Sequence, residues 1–169
     1  QITINGSNDA PTLSAGSITV TEDQLEAGIN VDAATSNLLA GATDVDDLDS
    51  GLVIGQVNGA IANVGVAVPV TLSYTDANGL PQTQNVNLTV NADGSYAIGT
   101  FDLDALPSGS NATVTFTYTA QDSGGLESAA QTATITITGT NDAPINTVPG
   151  IQSINEDTPL LIGGTSVSD

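Results

Sequence analysis

Residues 135–145, ITITGTNDAPI, restate a stretch that the chain has already used at residues 2–12, ITINGSNDAPT. Ile2, Ile4, Gly6, Asn8, Asp9 and Pro11 recur as Ile135, Ile137, Gly139, Asn141, Asp142 and Pro144, a constant offset of 133 residues. Thr21-Glu22-Asp23 is echoed by Asn155-Glu156-Asp157 at an offset of 134. Two separated matches at nearly one spacing predict a tandem arrangement. The spacing predicts residues 1–10 as the end of one repeat, 11–142 as a complete repeat and 143–169 as the start of the next, truncated. The opening QITINGS lacks the pattern of a signal peptide, so the chain reads as a piece of something longer.

Inside the complete repeat the period is two, as a half-buried strand requires. Ile18 and Val20 alternate with Thr; Val66, Val68, Val70, Leu72 and Tyr74 form a longer series; Val86, Leu88 and Val90 follow. Val114, Phe116, Tyr118 and Ala120 then interleave with Thr, and Ala133, Ile135 and Ile137 close the repeat. Turn residues separate these runs: Ala77-Asn78-Gly79, Asn91 to Gly94, Pro107-Ser108-Gly109 and Ser123-Gly124-Gly125. Pro69 removes a ladder donor from its run, which places it at an edge or a bulge. Gln24 to Thr43 keeps neither period, and a short helical turn is expected near Ser36 to Ala40. The pattern predicts an all-β fold, an antiparallel β-sandwich of about seven to nine strands.

Composition then narrows the function. Nineteen Asp and Glu stand against no Lys, Arg or His, a formal net charge of −19. Such a chain repels nucleic acid and anionic lipid alike. No apolar run reaches the roughly 20 residues that span a bilayer, so direct membrane insertion is not expected. Cysteine is absent, so no disulfide staples the fold. The carboxylates gather at run ends and in loops: Glu22 and Asp23 after the first strand, Asp44, Asp46, Asp47 and Asp49 in DVDDLD, Asp122 after TYTAQ, and Asn-Asp at both joints. Two carboxylates about 4 Å apart repel by about 1 kcal/mol in water and about 4 kcal/mol near a protein surface. A divalent cation reverses that sign. Ca²⁺ takes six to eight oxygens from carboxylates, amides and carbonyls, whereas zinc and copper favour His or Cys. The bland reading, an acidic surface kept for solubility, accounts for the net charge as well as a metal does. It accounts less well for the placement.

The segment FTYTAQDSGGLESAAQTATITITGTNDAP resembles the end of a cadherin repeat, and the Gly-Thr-Asn-Asp-Ala-Pro joint is similar to that of bacterial cadherin-like or VCBS repeats of giant secreted adhesins of the RTX type. The resemblance implies a Greek-key β-sandwich, cadherin/immunoglobulin-like, with Ca²⁺ at the joints between modules. Carried over by motif, the joint Asp is Asp9; one site would use Asn8, Asp44, Asp46 and Asp122 with the carbonyl of Ala10, and the opposite end would use Glu22 with Asn141 and Asp142, plus Asp169. The sequence departs from the cadherin joint at Gly6 and Gly139, and at Ala10 and Ala143, which implies fewer ions per joint.

The expectation is a Ca²⁺-stiffened extender of a long secreted adhesin on a bacterial cell surface, serving adhesion or biofilm formation by spacing. Its partners would be neighbouring repeats of the same polypeptide, with lateral self-association left open. The alternatives are a glycan- or protein-binding sandwich and a subunit of a surface fibre or surface layer. With no Trp, three Tyr and two Phe, the tools of a binding module are scarce. No His, Cys or Lys is present to serve an enzyme, and none is expected.

Overall fold

The structure, a computed structural model, describes residues 2–26, 30–31, 37–46, 51–99, 103, 106–151, 153, 155–157, 159, 161 and 163–168. In chain order the strands are β1 (Ser17–Thr21), β2 (Asn30–Val31), β3 (Val53–Val57), β4 (Val68–Thr75), β5 (Pro81–Val90), β6 (Tyr96–Ile98), β7 (Asn111–Gln121), β8 (Gln131–Thr138), β9 (Ile145–Thr147) and β10 (Ser166–Ser168). Among the described residues a short α-helix, α1 (Glu22–Glu26), follows β1 directly, and one turn of 3-10 helix lies at Ile61–Asn63. The start of α1 is held by a reciprocal cap: the Thr21 amide donates to Gln24 Oε1 at 2.9 Å, and the Gln24 amide points back to Thr21 Oγ1 at 3.4 Å.

Eight strands make one sheet in the order β1-β8-β7-β4-β5-β6-β2, with β3 also on β7; β9 and β10 pair apart from it. The fold is all-β. Every pairing in the main sheet is antiparallel except one: β1 runs parallel to β8, Ser17 beside Thr134 through Thr21 beside Thr138. The wholly antiparallel arrangement expected from sequence is therefore corrected at this seam. A hairpin can join only antiparallel neighbours, and a parallel pair needs a long crossover. Here the intervening strands of the sheet supply it.

Alternation places the core. Along β7 the side chains of Ala112, Val114, Phe116 and Tyr118 are buried while Asn111, Thr113, Thr115 and Thr117 are exposed. They pack with Ile135 and Ile137 of β8, Leu72 of β4, Leu88 of β5, Val57 of β3 and Leu25 of α1. None of the nineteen carboxylates lies in a described strand. Like charges facing each other across strands destabilise a sheet, and a chain without cations has only like charges to offer, so threonine takes the outward positions.

Pro69 sits at a locally exposed edge as its chemistry requires: β4 pairs with β7 only at Leu72 and Ser73, and Pro69 faces Asn87 of β5 alone. Residues 38–41 form a turn, closed by Ala40 N–H to Asn37 O at 3.0 Å and Ala42 N–H to Leu39 O at 2.9 Å. Ser36 lies outside the described residues. A short α-helix lies instead at Glu22–Glu26. Strand β3 was not legible, because Gly55 and Gln56 break its apolar run. Gly55 is there for room, since a Cβ would stand 2.9 Å from Thr119 Oγ1 and 3.1 Å from Gln121 Cβ.

Gly139 gives the sharpest steric test. A Cβ at this buried position would meet the carbonyl oxygens of Pro107 and Leu106 at 2.5 and 2.9 Å, both backbone. Its own amide and carbonyl tie the end of β8 to the 107–110 turn, through Ser110 O and Gly109 N–H, each at 2.9 Å. Gly139→Ala is expected to cost about 1–3 kcal/mol, the range for overpacking, read as a fall in urea midpoint at constant slope. Gly6→Ala, its equivalent in the first copy of the repeat, should be near neutral, because nothing lies within 4 Å of a Cβ there.

Candidate metal centres

The parallel seam fixes where the chain arrives and where it leaves. Because β1 and β8 run the same way, residues before Ser17 and residues after Thr138 depart from opposite ends of the sheet. Strand β7 runs against β8, with Tyr118 beside Gln131 and Asn111 beside Thr138. Its last residues lie at the arrival end and its first at the departure end. At about 3.4 Å per residue the eleven residues of β7 separate the two ends by about 34 Å.

At the arrival end, Thr12 pairs antiparallel with Thr43 through reciprocal backbone bonds of 2.8 and 3.1 Å. Continuing that register brings residues 9 and 46 opposite each other, and the Asp9 amide donates to Asp46 Oδ2 at 2.7 Å. The Asp46 amide in turn donates to Asp44 Oδ1 at 2.7 Å, an Asx turn that sets both carboxylates of Asp-Val-Asp in one loop. Asn8 Nδ2 donates to Asp122 Oδ2 at 2.7 Å, across 114 residues of sequence. Asp122 is buried, and its Oδ1 accepts the Leu126 amide at 2.8 Å. The two glycines after it have separate jobs. Gly125 adopts φ of 90°, which favours glycine; a Cβ on Gly124 would stand 2.6 Å from Asn8 Nδ2 and expel the Asn8 side chain.

Burial pushes the Asp122 carboxyl upward, but bonds from the Leu126 amide, the Asn8 side chain and the amides of Gly125 and Gly124 outweigh it, so the group titrates below its ordinary value. A depressed folded pKa contributes stability that is present above the unfolded value of about 3.9 and is lost as pH falls through the folded value.

At the departure end, Thr21 stands beside Thr138, so the next residues out are Glu22 and the Gly139-Thr140 pair. Glu22 Oε1 accepts both the Thr140 amide at 2.6 Å and the Thr140 hydroxyl at 2.9 Å. Glu22 is only 1% exposed, and its second oxygen, also buried, has no hydrogen-bond partner among the described residues. Burying a carboxylate oxygen without a donor is costly. Asn141 donates to the Asp142 carbonyl at 3.0 Å, and both side chains are exposed just beyond Thr140.

The ten site residues read from the sequence thus divide in two. Asn8, Asp9, Asp44, Asp46 and Asp122 converge at the arrival end, where Ala10 lies between Asp9 and the Thr12–Thr43 pair. Glu22, Asn141 and Asp142 follow one another at the departure end, and Asp169 lies outside the described residues. Among the described residues no group of three Asp or Glu side chains gathers closely enough to hold a metal ion. Sequence reasoning missed Thr140. Its signal was a hydroxyl at the same place in both copies of the joint, Ser7 and Thr140. No protein-family model matches the chain, and no curated protein matches it significantly.

The donor chemistry at both ends is oxygen only. Carboxylates, an amide and backbone carbonyls suit Ca²⁺, and the donorless oxygen of Glu22 is the kind of group a cation would satisfy. Donor type is what the two ends share with a Ca²⁺ site; the described carboxylates do not gather around one point.

Proposed function

We propose that residues 11–142 are one module of a tandem array of cadherin-like Greek-key β-sandwiches, stiffened by Ca²⁺ at the joints, and that the array spaces the adhesive part of a long secreted protein from a bacterial cell surface. The observation that carries this reading is the parallel pairing of the first and last strands of the repeat. It sends the chain in at one end and out at the other, so modules joined in series extend rather than fold back. The carboxylates support it by their position, since those of Asp122 and Asp46 meet residues 8–9 at one end, with Asp44 held to the Asp46 amide, while Glu22 meets Thr140 at the other. The repeat offset then makes Asn141 and Asp142 the Asn8 and Asp9 of a following module. A complete site would draw oxygens from both sides of the joint.

Ca²⁺ bound at a joint ties residues 8–10 to Asp122 and the Asp44–Asp46 loop, and residues 140–142 to Glu22. Each tie removes freedom from the linker, which is what turns a string of modules into a rod. The test is thermal unfolding in chelator and again with about 10 mM CaCl₂, well above the roughly 0.1–1 mM dissociation constants of extracellular sites, with MgCl₂ as the ionic-strength control. At about 100 times the dissociation constant one site adds about 2.7 kcal/mol, or roughly 10 °C for a module of this size. A rise with Ca²⁺ that Mg²⁺ does not reproduce is expected, and Asp46→Asn should blunt it. Equal rises with both ions would reduce the effect to screening and remove the support for metal-stiffened joints.

A further inference from the structure

The seam between β1 and β8 lies across the path that a pull on the chain would take. Tension on the residues before Ser17 draws β1 toward the arrival end, and tension on those after Thr138 draws β8 toward the departure end. The strands are neighbours and parallel, so the two pulls slide them past each other along their length. The register from Ser17 beside Thr134 to Thr21 beside Thr138 is then loaded in shear. The Thr134 amide donates to the Gly16 carbonyl at 3.0 Å; counted from there, the alternation of a parallel ladder puts the remaining bonds on Ile18 and Val20, an amide and a carbonyl each. Thr21 is out of phase, and its amide donates to Gln24 Oε1 instead. Just past the seam, Glu22 accepts the Thr140 amide at 2.6 Å and its hydroxyl at 2.9 Å, which joins the end of β1 to the exit of β8 a second time. Among the described residues β1 stands at the end of the strand order, so its ladder bonds are all in this seam.

We propose that the β1–β8 seam, backed by the Glu22–Thr140 bonds, is a mechanical clamp that lets the module carry tension along its length without unfolding. That tension reaches both ends rests on the tandem reading; how the seam meets it does not. Had β1 and β8 been antiparallel, Ser17 and Thr138 would lie at one end and the same pull would peel the strands apart. Bonds that are peeled break one after another, each freeing about 7 Å of chain, one residue from either strand. Bonds that are sheared share the load, and all must give within about 3.4 Å of sliding. Force is energy over distance, so shear demands more of it from the same bonds. With about five bonds in the ladder the ratio has an upper limit of about tenfold.

The experiment pulls the full chain in two directions with optical tweezers. The chain has no cysteine, so a pair of introduced cysteines gives two unique handles. Ala15→Cys with Asn141→Cys, both exposed, loads the seam in shear. Ala15→Cys with Ala130→Cys puts both handles at the arrival end, beside the starts of β1 and β8, and peels the same seam. Chelator is present throughout, so joint metal plays no part. Thermal melts by circular dichroism establish that the two variants are equally stable; if Asn141→Cys is not, the exposed Asp142→Cys takes its place. Forced unfolding is governed by the unfolding barrier rather than by equilibrium stability, so any remaining difference belongs to the direction of the load. At equal loading rate the unfolding force in shear is expected to exceed that in peeling by about threefold or more. Equal forces in the two directions would overturn the clamp. That result would leave the Ca²⁺ reading intact, because the metal-dependent melt alone judges it.

Discussion

Phe116→Ala is expected to lower the melting temperature by roughly 10–20 °C, the equivalent of about 3–5 kcal/mol for truncating a buried phenylalanine. Phe116 lies near the middle of β7, 3% exposed, with its ring tilted 46° to that of Tyr118 at a centroid distance of 6.1 Å. Across the ladder it stands beside Ala133 of β8. That neighbour is too small to fill the space a truncation leaves, so the site relaxes poorly and the cavity cost is kept. The chain has no Trp, no Met, no disulfide and two Phe in all, so few side chains of this size hold the core. Against a total stability of about 5–15 kcal/mol, the loss is a large share. Urea unfolding should show the midpoint falling with the slope unchanged. Thr115→Ala, one residue away on the exposed face, should move stability by less than about 0.5 kcal/mol. If the two substitutions cost the same, the inward and outward faces of β7 have been assigned wrongly.

Glu22→Gln should change sign with metal. In chelator, the native carboxylate keeps one buried oxygen without a donor, while its other oxygen serves Thr140. An amide keeps an acceptor for Thr140 and removes the buried charge, so without metal the variant should be as stable as the native chain or about 1 kcal/mol more stable. With Ca²⁺ in large excess the order should reverse. The native chain gains about 2.7 kcal/mol per site at 100 times the dissociation constant, and a neutral amide holds a hard cation less well than a carboxylate. Melting curves of both proteins with and without Ca²⁺ would therefore cross. Parallel curves, with the variant equally displaced in both buffers, would mean that Glu22 is a structural acceptor for Thr140 and nothing more.

The alternation of apolar residues with threonine fixed five of the strands and the inward face of each, because side-chain direction in a strand depends only on parity. The turns at residues 77–79, 91–94, 107–109 and 123–125 were equally legible, since glycine at positive φ marks them: Gly79, Gly94, Gly109 and Gly125 all adopt it. Strand β3 was hidden by Gly55, a residue chosen for clearance against Thr119 rather than for strand propensity. The residues of the candidate centres were also visible in the sequence, as carboxylates at run ends and as the doubled Asn-Asp joint. Which of them meet was not. Asn8 reaches Asp122 across 114 residues and Glu22 reaches Thr140 across 118, separations that no local periodicity encodes. Strand order and the parallel β1–β8 seam decide those meetings, because they set which strand ends share an end of the sheet. Local pattern determined what each segment is and which way its side chains face; only long-range pairing decided that the carboxylates would stand at two opposite ends.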